Sequence, residues 1–260
     1  MCMSWLKKLF GGGNPKPPTW EHHPRVALLF GINDYKGFDN DLQGCLNDVE
    51  LAVTRLPGFQ MRKFTDSEVS IENFKNQVQY AIFNAVENDV IVIHYSGHGT
   101  YVKDRSGDEI DGYDEALCLY DGNLIDDEMN EMLQFIPQGV TVLLIIDSCF
   151  SGTITRNPRR CRFMPPNFEV KPYVRIKRRW YEDMKWIVFS TCGENETSGE
   201  IEVDGKVYGV GSYFMYHTLV GNMTYKTWFE KVKEFLPNKD YNQTPTLEGN
   251  SMLINKQVLT

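Results

Sequence analysis

The chain has 260 residues, 42% hydrophobic and 24% charged, the balance of a soluble globular protein able to bury a full core in one larger domain or two intimate halves. A formal net charge of −8 argues against a general nucleic-acid binder, since such domains are usually basic, and suits basic substrates better. No apolar run is long enough to span a bilayer, and six cysteines without paired spacing or a secretory segment fit a reducing, cytoplasmic setting.

Residues 1–20 read as a flexible N-terminal tail. Trp5-Leu6-Lys7-Lys8-Leu9-Phe10 has room for one or two amphipathic turns, but Gly11-Gly12-Gly13 and Pro15, Pro17 and Pro18 then break regular structure, and the order is wrong for a signal peptide. The first core strand is expected over 25–32, a helix over 41–56 closed by Pro57-Gly58, and a second strand over 60–64. Ser70 caps the next helix, in which Phe74, Val78, Ala81, Ile82, Ala85 and Val86 recur at helical spacing. The apolar run from Asp89 to Tyr95 completes a strand-helix-strand-helix-strand alternation, the mark of a parallel sheet with helices on both faces. It breaks into the polar turn Ser96-Gly97-His98-Gly99-Thr100. A polar, acidic loop is expected over 102–114, a short strand over 116–120, and a helix capped by Asp126 that carries Met129, Met132, Leu133 and Ile136.

Thr141-Val142-Leu143-Leu144-Ile145-Ile146-Asp147 is almost all β-branched or leucine, which suits a strand buried on both faces at the centre of the sheet. It stops abruptly at Ser148-Cys149, where the edge of an open α/β sheet holds its ligand crevice. Cys149 is the candidate nucleophile, although this stretch alone fits a buried structural cysteine equally well. Two central strands therefore end in the same way, one delivering His98 between glycines and the other Cys149. Thiol catalysis needs that pairing, because an unperturbed thiol is only a few per cent ionised near neutrality and requires a base.

Beyond it, Arg156, Arg159, Arg160, Arg162, Lys171, Arg175, Lys177, Arg178 and Arg179 crowd a segment broken by Pro158, Pro165, Pro166 and Pro172, which reads as an exposed connector. A strand follows over 186–191, a hairpin around Asp204-Gly205, and two helices over 212–220 and 224–235.

At the candidate residues the chain resembles the metacaspases, within the caspase-like cysteine peptidases. The matching blocks, in the family's order, are Ala27-Leu28-Leu29-Phe30-Gly31-Ile32-Asn33, Leu42-Gln43-Gly44-Cys45-Leu46-Asn47-Asp48, His94-Tyr95-Ser96-Gly97-His98-Gly99, Asp111-Gly112-Tyr113-Asp114-Glu115, Ile125-Asp126-Asp127-Glu128 and Asp147-Ser148-Cys149. Weaker matches stand at Ser190-Thr191-Cys192 and from Gln243 to Gly249. The resemblance implies a caspase-like three-layer α/β sandwich, with a mostly parallel central sheet, over 21–260. Its parts would be a large-subunit-like part (21–155), a basic linker open to self-cleavage at Arg159-Arg160 or Arg178-Arg179 (156–180), and a small-subunit-like part (181–260).

It also implies a His98 and Cys149 dyad, an oxyanion held by the amides of Gly99 and Cys149, and a basic-residue pocket at Cys45, Asp48, Ser96 and Asp147. Aspartate-directed caspases carry a glutamine where Asp147 stands, so carboxylates here point to cleavage after Arg or Lys. Many metacaspases are calcium-activated, and Asp111, Asp114, Asp126 and Asp127 offer hard oxygen ligands, although these carboxylates could equally cap the following helix. Ile154-Thr155-Arg156 stands where the family supplies a further aspartate, which weakens that site. A monomer acting on protein or peptide substrates is expected, and the rival reading is a catalytically silent caspase-like scaffold.

Overall fold

A computed structural model describes residues 21–37, 41–103, 112–149, 161–166, 183–193, 196 and 198–260. In chain order the elements are β1 (Arg25–Gly31), α1 (Cys45–Arg55), β2 (Gln60–Thr65), α2 (Ile71–Asn84), β3 (Val90–Ser96), β4 (Gly99–Lys103), β5 (Tyr113–Leu119), β6 (Gly122–Ile125), α3 (Asp126–Leu133), β7 (Thr141–Asp147), β8 (Ile187–Ser190), β9 (Glu200–Val203), β10 (Lys206–Gly209), α4 (Val210–Thr218), α5 (Tyr225–Lys233), β11 (Thr246–Glu248) and α6 (Ser251–Ile254). Six strands form one sheet in the order β11-β8-β7-β3-β1-β2. All neighbours are parallel except β11 against β8.

The unalternating apolar strands are explained by burial on both faces. Leu28, Phe30, Ile93, Tyr95, Leu144 and Ile146 join one core cluster, with Phe74 and Val78 of α2 and Met129 and Leu133 of α3. Their neighbours Ala27, Leu29, Val92, Leu143 and Ile145 join a second cluster, with Val49 and Ala52 of α1, Met215 of α4 and Trp228 of α5. The result is the expected three-layer sandwich.

Ser70 caps α2 as its sequence implies, its side chain accepting from the Asn73 amide. The helix stops at Asn84, earlier than the apolar spacing suggests, because Ala85 turns to extended backbone and leaves Val86 exposed. Asp126 is not the cap of α3: Ile125 holds that position, and Asp126 and Asp127 lie in the first turn, where carboxylates face the positive end of the helix. Part of the expected acidic loop is the antiparallel pair β4 and β5, with Gly99 opposite Leu117.

Strand β1 has β2 on one side and β3 on the other, and the intervening helices α1 and α2 pack on opposite faces. Connections therefore diverge at the C-terminal ends of β1 and β3, where a crevice opens.

Candidate active site

β3 and β7 run side by side, and Ser96 opposite Asp147 is their last paired rung. His98 and Cys149 each stand two residues beyond that rung, both buried. The turns are tied together, since the Gly97 amide donates to the Asp147 carbonyl at 3.3 Å. They also share one acceptor: the amides of Gly99 and Cys149 donate to the carbonyl oxygen of Arg162 at 3.0 and 3.3 Å. The two donors expected to hold an oxyanion thus converge on a single peptide carbonyl.

Two tyrosines fix the His98 turn. The His98 amide donates to the Tyr35 hydroxyl at 2.7 Å, and the Tyr95 hydroxyl donates toward the His98 carbonyl at 2.8 Å. The Tyr35 ring lies 4.8 Å from the imidazole, centre to centre. Gly97 is required between them, because a Cβ there would fall 2.5 Å from the Tyr95 hydroxyl and 2.6 Å from that of Tyr35.

Arg162 departs from the exposed connector expected of its segment: its side chain is fully buried. One guanidinium nitrogen lies 2.7 Å from Asp48 Oδ2 and 3.5 Å from Glu200 Oε1. The other lies 3.1 Å from Asp147 Oδ2 and donates to Ser96 Oγ at 2.7 Å. Three carboxylates therefore surround one cation. Backbone bonds hold the segment on both sides, from the Arg162 amide to the Ser198 carbonyl at 3.0 Å and from the Met164 amide to the Gly99 carbonyl at 2.9 Å.

The carboxylates are themselves held in place. Asp147 accepts from the hydroxyls of Thr191 and Ser198, each at 2.8 Å, and from the Ser212 amide at 2.8 Å. Asp48 accepts from the Ser96 hydroxyl at 2.7 Å and the Gly209 amide at 2.9 Å. Glu200 accepts from the Gly44 amide at 2.7 Å. Gly209 closes the wall, and any side chain there would collide with the Asp147 carboxylate and the Arg162 guanidinium.

Burial would push the Asp147 carboxyl up, yet the Arg162 guanidinium and the bonds from Ser212 and Thr191 hold it below the usual range. Asp48 has fewer donors: burial, with the Asp147 charge in the same direction, lifts it to about 7 against the pull of Arg162. Burial also raises the Cys149 thiol, reinforced by the hydrogen bond with Cys161, so it rests protonated and needs a base to ionise.

Of the residues singled out in the sequence, Asp48, Ser96 and Asp147 meet around the guanidinium. Cys45 begins α1 behind them, its thiol pushed up by burial. Arg162, Glu200, Gly209 and the two tyrosines were not found by sequence reasoning. Arg162 is one of nine basic residues in its segment, and Glu200 belongs to a hairpin distant in sequence; no local pattern marks either.

Asp114 is buried on β5 near the start of α3, where Asp126 and Asp127 lie, while Asp111 lies outside the described residues, as do Arg159, Arg160, Arg178 and Arg179. Among the described residues no three or more His, Cys, Asp or Glu side chains gather as a metal ion would require. Among the described residues, no helix is long and apolar enough to cross a membrane.

Residues 25–158 match the family model for the metacaspase, peptidase C14 domain. Metacaspase-1 of Schizosaccharomyces pombe is 39% identical over 145 residues, 49% of this chain and 34% of that protein. Metacaspase-3 of Arabidopsis thaliana is 32% identical over 207 residues, 72% of this chain and 57% of that protein. The chain thus spans only part of the length of these relatives. A solved structure from Geobacter sulfurreducens superimposes with a TM-score of 0.70 at 26% identity, covering 90% of this chain and 98% of that one. Caspase-1 from Spodoptera frugiperda does so at 0.58 and 14% identity, over 87% and 86%, a likeness of fold. With more than half its length matched, beginning at the first core strand and running past Cys149, the chain belongs to the metacaspase family.

Proposed function

We propose that the chain is a cytoplasmic, monomeric cysteine endopeptidase that cleaves peptide bonds after arginine or lysine, and that it cuts itself between Arg162 and Phe163. The seat of Arg162 carries this reading: its side chain fills an acidic pocket while its carbonyl oxygen accepts from the amides of Gly99 and Cys149. That pose supports cleavage of the bond on its C-terminal side.

In the mechanism this supports, His98 takes the Cys149 proton and the thiolate attacks the carbonyl carbon of Arg162. The oxygen, now negative, stays between the two amides, which bind it more strongly than the neutral carbonyl. His98 returns the proton to the leaving amine of Phe163, and water then releases the acyl group. Specificity follows from charge. Each close pair of opposite charges contributes on the order of 4 kcal/mol at an effective dielectric of about 20, reduced by desolvation, and an aspartate in the same place would be repelled.

The depth at which Arg162 is buried favours one alternative, a silent module whose pocket is permanently filled by its own segment. Incubation of the wild-type chain beside Cys149→Ala and Arg162→Gln separates the two. New chain ends at Arg162 and Phe163 are expected from the wild type only. Fluorogenic peptides ending in arginine or aspartate are offered in parallel, with and without calcium, which also tests the calcium activation implied by the family. Absence of self-cleavage and of hydrolysis under either condition, with Cys149 still open to alkylation, would favour the silent module.

A further inference from the structure

The residue before the seated arginine is a cysteine, and its sulfur lies 3.6 Å from that of Cys149. Both ends of this approach are anchored. Cys149 follows directly from β7, and Cys161 is fixed by the hydrogen bonds of the adjacent Arg162 to Ser198, Gly99 and Cys149. A disulfide needs its sulfurs about 2.05 Å apart, so rotation about side-chain bonds has only a short gap to close. The two thiols also differ in access: Cys149 is buried, whereas Cys161 is partly exposed. The bond from Cys149 draws the Cys161 thiol toward ionisation, while burial pushes Cys149 the other way. The pair therefore has one sulfur suited to meet an oxidant and a second positioned to resolve the product.

We propose that Cys149 and Cys161 form a reversible disulfide under peroxide, holding Arg162 in the pocket and silencing the proposed peptidase until a thiol reductant releases it. The Cys161 thiolate attacks the peroxide O–O bond, giving a sulfenic acid and hydroxide. The Cys149 sulfur then attacks that sulfenic sulfur, forming the S–S bond, and the proton it releases leaves with the displaced hydroxyl as water. One peroxide is reduced to two waters and two thiols are oxidised to one disulfide. A thiol reductant reverses this by exchange, regenerating Cys149. The lock occupies nucleophile and pocket together: Cys149 loses its reactive lone thiol, and the tether keeps Arg162 among the three carboxylates. Cys192 is the competing partner nearby, but its thiol donates to the carbonyls of Glu196 at 3.0 Å and Gly193 at 3.3 Å.

The activity arm rests on the peptidase reading, whereas the covalent arm does not. The full chain is reduced, freed of reductant, exposed to hydrogen peroxide near stoichiometric amounts, alkylated, and mapped as unreduced peptides by mass spectrometry. A cross-linked Cys149 and Cys161 pair in most chains is expected. A fall of at least tenfold in arginine-peptide hydrolysis, and an arrest of self-cleavage, both restored by dithiothreitol, should accompany it. In Cys161→Ser the cross-link should vanish and arginine-peptide hydrolysis should survive the same peroxide dose, since the buried, protonated Cys149 is left without the sulfur that meets the oxidant first. A dominant Cys149 to Cys192 link, no cross-link at all, or a Cys161→Ser variant that loses hydrolysis to the same peroxide dose as fully as the wild type would overturn the lock. Hydrolysis that persists unchanged in cross-linked chains would overturn it too. If no hydrolysis is seen even in the reduced chain, the peptidase reading fails while the cross-link is still read by mass.

Discussion

Asp48→Asn replaces one carboxylate oxygen by an amide nitrogen at nearly constant volume, so it changes pocket charge rather than packing. Asp48 Oδ2 lies 2.7 Å from a guanidinium nitrogen, with both side chains out of water. Removing one partner of such a buried, hydrogen-bonded charge pair costs roughly 2–5 kcal/mol. Because Asp147 at 3.1 Å and Glu200 at 3.5 Å still face the cation, the lower half of that range applies. A loss of about 3 kcal/mol corresponds to roughly a hundredfold fall in kcat/KM for an arginine-terminated peptide. The pH dependence sharpens the test. Burial lifts Asp48 to about 7, so the wild-type pocket loses this charge as pH falls through that value, and arginine cleavage weakens with it. The amide of the variant cannot titrate, so the ratio of wild-type to variant kcat/KM should shrink from pH 8 to pH 6. The ratio isolates Asp48, because the proposed base His98 is common to both proteins. A variant within threefold of wild type at pH 8, or a ratio constant with pH, would refute electrostatic recognition by this carboxylate.

Gly209→Ala should lower arginine-peptide kcat/KM at least tenfold and lower the melting temperature as well, since the new methyl group enters the space of the Asp147 carboxylate and the seated Arg162 guanidinium; activity assays beside thermal unfolding check this. Tyr35→Phe removes the acceptor of the buried His98 amide, a cost of about 1–3 kcal/mol, and should reduce kcat several-fold with KM nearly unchanged in steady-state kinetics. Burial draws the His94 imidazole down from 6.5 to about 4. Below about 6.5 the unfolded chain binds a proton that the folded chain refuses, so this histidine's contribution is present above that pH and lost as pH falls toward 4, by up to about 3 kcal/mol. Denaturant titrations at pH 7 and pH 4.5 should show a smaller fall in stability for His94→Gln than for wild type.

Local pattern reaches a long way in this chain. The apolar runs of β1, β3 and β7, the Ser70 cap, the Asp204-Gly205 hairpin and the alternation of strand and helix were readable, because each is set by residues near in sequence. The breaks after β3 and β7 drew attention to His98 and Cys149 for the same reason. Parallel pairing then decides that Ser96 and Asp147 share a rung and that both turns open on the same crevice.

What could not be read depends on distance along the chain. Asp48 and Arg162 meet across 114 residues and Gly209 and Asp48 across 161, so no spacing rule connects them. Composition alone placed the basic segment in solvent, since an unpaired buried guanidinium is prohibitively unfavourable. By itself the amino-acid sequence determined the sheet, the family and the residue types gathered at the strand ends. Only the tertiary structure decided that Arg162 enters the pocket, because its seat depends on three carboxylates from three separate elements converging where a missing Cβ leaves room for a guanidinium.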